Sequence, residues 1–376
     1  MVGKHDVRRA EPHPMHPALA PFQFRRGGLR VKNRCVLAAM TNKQSQNDGQ
    51  VTQEEIAWLE ARSRGGFGIV TTAATHVQED GQGWEGEFGV WSDEFLPGLT
   101  TMATAITKHG SIGLAQLFHG GMRAPESLTG QQPKSASENL LDEEGNVSRA
   151  MTDEEVHETI RAFGQAAKRC EAAGFHGVEL HGAHGYLISQ FLGEQTNRRE
   201  DAWGGSSEKR QAFLVETVKE IRRQTRENFV VGVRLSPVHK GVGITIQDAL
   251  FTLNSCMTLE LDFIHVSCWD IHQSATIGQE ERTLTEWFAH ELKGQIPLIT
   301  TGGLWNRNDA EDAMEQGGDF VGVARAGIAH PNWPEALANG ADAPKRPPFS
   351  VEELEKASLS PRFIAYMRRW EGFVED

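Results

Sequence analysis

Along most of the chain, short runs of β-branched and apolar residues alternate with longer stretches whose apolar positions recur at helical spacing, the pattern of repeated βα units. Eight runs predict strands: Arg34 to Ala39, Gly68 to Thr72, Ser111 to Leu117, Gly177 to His181, Val230 to Leu235, Asp262 to Val266, Pro297 to Thr301 and Asp319 to Val323. The remaining stretches predict helices over Gln53 to Arg64, Asp93 to His109, Thr152 to Ala173, Glu208 to Thr225, Ile246 to Leu259, Thr283 to Gly294, Arg307 to Gln316 and Trp333 to Asn339. One helix start is marked clearly: Thr152 and Glu155 form a capping-box pattern, with Asp153 and Glu154 where the helix dipole favours acids. Eight strands with eight helices predict an α/β chain closed as a (β/α)8 TIM barrel; a doubly wound open sheet is the alternative for the same alternation. The connection 120–150, rich in Ser, Pro, Gly and acids, is too long for a plain βα loop and predicts a cap over the barrel mouth. No Gly/Ser linker divides the chain, so the expected organisation is an extension over 1–20, one barrel over 21–340 and a C-terminal tail and helix over 341–376.

Composition narrows the partners. With 38 Lys and Arg against 51 Asp and Glu, the net charge is −13, which repels phosphate backbones and anionic membrane surfaces, so nucleic acid and membrane are not expected partners. No stretch reaches the ~18 consecutive apolar residues of a membrane span. The N-terminal residues interrupt any apolar run with His13, Pro14, His16 and Pro17, unlike a signal peptide. Cys35, Cys170, Cys256 and Cys268 include no pair at metal spacing, so no zinc or iron-sulfur site is expected and a reducing, cytoplasmic setting is.

Barrel active sites sit at the carboxyl ends of the strands, where this sequence places Thr41, Gln116 to His119, His181, His184, Tyr186, Arg234, Gly302, Gly303 and Arg325. In His181-Gly-Ala-His184-Gly-Tyr186 two imidazoles stand just past a strand end, where both can donate N–H bonds to one substrate oxygen. Tyr186 adds a hydroxyl suited to protonating a carbanion-like carbon. A zinc reading fails on ligand count, because Glu179 lies on the strand itself. A pair of structural histidines is the plain alternative, weakened because Tyr occurs only 2 times against 18 for Phe. Arg234, on an otherwise apolar strand, calls for an anion or a polarised carbonyl, or else for an inward acid as its partner. The glycine turns at Gly302 and Gly303, followed by Ala324-Arg325 after the next strand, suit a phosphate.

These residues resemble the old yellow enzyme family of flavin mononucleotide (FMN)-dependent ene reductases. The resemblance runs from Leu29-Arg-Val-Lys-Asn33 through Ala39-Met40-Thr41, Gln116-Leu-Phe-His119-Gly120-Gly121, His181 to Leu192, Asn197-Arg198-Arg199 and Gly204-Gly205, to the Gly302 and Arg325 turns. It implies FMN as cofactor, NADH or NADPH as hydride donor, and a small unsaturated carbonyl compound as substrate. Ala39, Met40, Thr41 and Ala74 would line the flavin, Gln116 would bond its pyrimidine edge, Arg234 would sit by N1 and the C2 carbonyl, and Gly302, Gly303, Ala324 and Arg325 would hold its phosphate. His181 and His184 would grip the substrate oxygen, and Tyr186 would protonate the α carbon. The chain departs from relatives by Ala39 where many have Pro, and by Lys43 where one bacterial subgroup has Tyr. A flavin dehydrogenase or oxidase running in the desaturating direction, a phosphate-binding lyase or isomerase, and a flavin-storing protein remain alternatives. The C-terminal Tyr366-Met-Arg-Arg369-Trp370 suits either a subunit interface in a homo-oligomer or a helix packed on its own barrel.

Overall fold

The computed structural model describes residues 15–339 and 344–375. Most of the expected extension over 1–20, and the expected boundary at 340 and 341, therefore lie outside the described residues. Eight parallel strands close a barrel: β1 Cys35–Leu37, β2 Ile69–His76, β3 Ile112–Phe118, β4 Gly177–Gly182, β5 Val230–Leu235, β6 Phe263–Ser267, β7 Leu298–Thr301 and β8 Phe320–Val323. Each expected strand is present, several with shifted ends, and the closed order removes the open-sheet alternative.

The interior is layered by the two-residue period of the strands. Val36, Ile69, Ile112, Val230, Phe263, Ile299 and Phe320 fill the amino-terminal end as one apolar cluster. A hairpin, Phe22–Gln23 paired with Arg30–Val31, closes that end, with the Phe22 ring 4.8 Å from that of Phe320. Two or four residues further along, the inward positions of five strands turn polar, at Gln116, Glu179, Arg234, His265 and Thr301. Small residues make room for them and for the apolar layer below. A Cβ on Gly322 would fall 1.9 Å from Thr301 Oγ1, and one on Gly232 would fall 2.1 Å from the Phe263 ring. Between Thr71 and Ala74 the pairing of β2 with β3 shifts register; Thr72 Oγ1 accepts from the Gln116 N–H at 3.2 Å, and the bulge aims Ala74 at the mouth.

The outer ring comprises α1 Gln53–Arg64, α2 Leu96–Thr107, α3 Asp153–Ala173, α4 Ala212–Gln224, α5 Ile246–Met257, α6 Leu284–Leu292, α7 Arg307–Glu315 and α8 Trp333–Asn339. The capping box at Thr152 and Glu155 is present. Two expected helices are corrected. The one from Asp93 opens as a 3-10 turn over Asp93–Phe95. The one expected from Glu208 is interrupted at Gln211, because Arg210 turns inward to the Leu192 carbonyl at 3.2 Å and toward Asp248 at 3.6 Å.

Segment 120–150 folds into short pieces ending in a three-stranded sheet of Lys134–Ser135, Asn139–Leu140 and Val147–Ala150. The sheet leans on the loop after β2 through Lys134 and Asp80, 2.6 Å apart. The C-terminal tail packs on the barrel rather than away from it. Buried Arg62 of α1 donates to the Ala357 carbonyl at 2.7 Å, and the helix Pro361–Met367, capped by Ser360, docks on the loop after β1 through Ser360 N–H to Gln44 and Arg362 to the Ser45 carbonyl.

Candidate active site

At the carboxyl ends of the strands lies a cavity of about 740 Å³. It is lined by every site residue expected from the sequence: Ala39, Met40, Thr41, Ala74, Gln116, His181, His184, Tyr186, Arg234, Gly302, Gly303, Ala324 and Arg325. Of the segment expected as a cap, Arg123 lines it.

Its floor is a hydrogen-bonded chain of strand residues. Gln116 Nε2 donates to Glu179 Oε1 at 2.7 Å, and His265 Nδ1 donates to Glu179 Oε2 at 2.7 Å. The far ring nitrogen of His265 lies 2.7 Å from Thr301 Oγ1, whose hydroxyl can donate to it. Burial pushes the Glu179 carboxyl up, but His265, Arg234 and Gln116 outweigh it and hold the group below its ordinary value. Glu179 is thus a buried carboxylate, and it orients Gln116 so that the amide oxygen remains free to accept.

Arg234 meets no acid directly. Its Nη1 donates to the Ala39 carbonyl at 3.0 Å and its Nη2 to Ser267 Oγ at 3.0 Å, while Nε is buried without a partner among the described residues. The inward-acid alternative is therefore not realised as a contact, although Glu179 acts on Arg234 through space.

Above the floor, the rings of His181 and His184 lie 5.0 Å apart, and those of His181 and Tyr186 5.0 Å apart. Burial, then Arg234, pushes the His181 imidazole down to about 3 and that of His184 well below its ordinary value, so both are neutral at pH 7. Their hydrogen-bond partners choose the tautomers. The Ala183 N–H donates to His181 Nδ1 at 3.4 Å, which leaves the ring proton on Nε2. Ser267 Oγ accepts from Arg234 and lies 2.8 Å from His184 Nε2; where the serine hydroxyl donates to that nitrogen, the ring proton of His184 stays on Nδ1. In that arrangement each neutral ring keeps one N–H that can donate to a ligand oxygen. His184 achieves this at φ 62, a left-handed backbone rare for residues with a side chain. Burial raises the Tyr186 phenol, and Arg123, whose guanidinium lies 4.3 Å from the ring centroid, pulls the other way.

The sequence matches the NADH:flavin oxidoreductase / NADH oxidase family over residues 19–343. The chain belongs to that family. It is 35% identical over 330 residues to a probable NADH-dependent flavin oxidoreductase of Bacillus subtilis, covering 86% of this chain and 88% of that one. It is 36% identical over 323 residues to the NADH:acrylate oxidoreductase of Vibrio harveyi, covering 83% of this chain but only 32% of that longer protein. Among solved structures, an old yellow enzyme homologue from Zymomonas mobilis superposes with TM-score 0.79 at 25% identity, covering 92% of this chain and 98% of that one. As an old yellow enzyme family member, the protein is an FMN oxidoreductase served by NADH or NADPH.

The cavity fits that cofactor on its own observations. The unpartnered Nε of Arg234 and the free oxygen of Gln116 suit the acceptors and imide N–H of an isoalloxazine pyrimidine edge. Gly302 is pressed against Cys268, where a Cβ would fall 2.8 Å from its carbonyl oxygen, and Gly303 takes φ 72, so the turn after β7 keeps its backbone open beside Arg325. Several residues of the cavity wall are not among those expected from the sequence to form the site. Ser267 lies on a strand and was detectable, because with His265 it shares the inward parity of Phe263. Trp84 and Arg123 line the cavity from loops, where no periodicity marks them, and Tyr366, Arg369 and Trp370, expected only as an interface or a helix packed on the barrel, line it from the C-terminal tail.

Proposed function

We propose that the protein reduces the C=C bond of α,β-unsaturated carbonyl compounds, with His181 and His184 binding the substrate oxygen and Tyr186 donating the proton. The chemistry that FMN supplies when bound is hydride transfer from NAD(P)H to the β carbon. The chain's own residues then have three tasks. Arg234 and Gln116 bond the cofactor's pyrimidine edge, and a fixed cation there favours the negative charge that reduction brings. Gly302, Gly303, Ala324 and Arg325 hold the phosphate, with Ala39, Met40, Thr41 and Ala74 along the ring.

The two neutral imidazoles polarise the carbonyl, drawing electron density toward oxygen. The Tyr186 hydroxyl gives its proton to the α carbon, completing the addition of one hydride and one proton. The raised phenol stays protonated until that step, and Arg123 over its ring then stabilises the phenolate. The observation that carries this reading is the convergence of His181, His184 and Tyr186, in hydrogen bonds that allow each imidazole to keep one N–H to donate. Anaerobic reduction by NADH or NADPH, followed by mixing with enones, enals, nitroalkenes and quinones, tests it. Reoxidation by enones with saturated product supports the reading; a flavin that none of the alkenes reoxidises defeats it.

A further inference from the structure

The cavity is cationic in an acidic chain. Lys43, Arg123, Arg234, Arg325 and Arg369 line it, and no Asp or Glu does, although the chain carries 51 acids against 38 basic residues. Arg234 and Arg325 are taken up by the cofactor reading. Lys43, Arg123 and Arg369 are not, and none of them forms an ion pair among the described residues.

Their placement is specific. The only 2 tyrosines of the chain both line the cavity, and each carries these cations on its ring. Arg123 lies 4.3 Å from the Tyr186 centroid and donates to the His184 carbonyl at 2.6 Å. Lys43 Nζ lies 5.6 Å and the Arg369 guanidinium 5.3 Å from the Tyr366 centroid. Lys43 is held at φ 55, and a Cβ on Gly86 would fall 2.5 Å from its carbonyl oxygen, so the loop packs closely around the Lys43 backbone in that conformation. Lys43 and Arg369 meet on one ring, and like charges so placed repel unless an anion joins them. Arg123, tied to His184 and Tyr186, lines the same cavity, so an anion held by Lys43 and Arg369 shares that cavity with the substrate's reacting end.

We infer that the outer half of the cavity is a carboxylate-recognition site, and that the natural substrates are unsaturated carbonyl compounds bearing a carboxylate beyond the reacting double bond. The inference rests on the ene-reductase reading above. The rival source of negative charge is the phosphate groups of the nicotinamide donor.

The test uses holoenzyme reduced photochemically, without nicotinamide. It is mixed in stopped flow with an enone carrying a carboxylate two methylenes beyond the alkene, or with the methyl ester of the same compound. The carboxylate should reoxidise the flavin with a second-order rate constant roughly tenfold or more above the ester, the effect of a hydrogen bond to a charged group. The ratio should shrink as salt is added. Lys43→Gln and Arg369→Gln should each pull the ratio toward one, and Lys43→Glu should push it below one, whatever happens to the rate common to both compounds. A wild-type ratio of one or less overturns the proposal even if a variant does not fold. So do variants that leave the ratio intact but slow flavin reduction by NADH or NADPH, which would give the cations to the donor's phosphates. If neither compound reoxidises the flavin, it is the ene-reductase reading that fails first.

Discussion

The floor of the cavity and its rim are built on different principles. On the floor, Gln116, Glu179, His265 and Thr301 come from four barrel strands and are joined by hydrogen bonds of 2.7 Å, so each fixes its neighbour's orientation. On the rim, Lys43, Arg123, Tyr366 and Arg369 come from loops and the tail, and they meet through cation and ring contacts of 4.3 to 5.6 Å. Removing one floor partner leaves a buried polar group or charge uncompensated, whereas removing one rim partner exposes atoms to water. The floor is therefore costly to alter and suits a fixed cofactor. The rim is cheap to alter and suits a changeable substrate.

Tyr186 stands where the two regions meet, and changing it should give the largest effect. Tyr186→Phe is expected to slow the oxidative half-reaction with an enone by ~10² to 10⁴, the worth of a positioned general acid, while reduction by NAD(P)H stays nearly intact. Stopped-flow measurement of the two halves decides it, and a slowed reductive half would make Tyr186 a shaping residue of the rim. Next, Glu179→Ala should cost about 3 to 5 kcal/mol of unfolding free energy in urea, because His265 and Arg234 lose the carboxylate between them. Arg369→Ala should cost under ~1 kcal/mol in the same assay. Equal losses would erase the contrast between floor and rim. Arg325→Ala should weaken flavin retention by roughly 1.5 to 3 kcal/mol, read by dialysis against apoprotein, with no change of enone preference.

The smallest expected effect is one of pH. Because the folded pKa of His181 is lowered to about 3 and that of His184 is lowered too, enone reduction should show no imidazole inflection near the ordinary value. Stability should behave otherwise. The unfolded chain takes up these protons below pH ~6.5 and the folded chain refuses them, so the melting temperature should fall as pH drops from there toward 3. A clear rate inflection near 6.5 that disappears in His184→Asn would show that this imidazole titrates in the cavity.

The same division explains what the sequence reveals. Strand parity made His181 and Arg234 legible, since a polar residue inside an apolar run has few places to go. His265 and Ser267 obey that rule as well, in Phe263-Ile-His265-Val-Ser267, and were within reach of it. The rim was not. Lys43 and Arg369 stand near opposite ends of the chain, and what unites them is the ring of Tyr366, which no local pattern announces. The arginine and aromatic cluster around Tyr366 suits a subunit surface in composition, yet it faces the protein's own mouth because Ser360 and Arg362 fasten its helix to Gln44 and Ser45.

That fastening makes the last stretch of the chain a working wall of the cavity. Tyr366, Met367, Arg369 and Trp370 arrive after every barrel strand has been synthesised, so a barrel can close before this side of its cavity exists. A preparation nicked by protease ahead of Pro361, or bearing a bulky fusion just past the tail, would then remain yellow and would still be bleached by a nicotinamide. Colour would certify the floor alone, and two such batches would disagree about what they reduce.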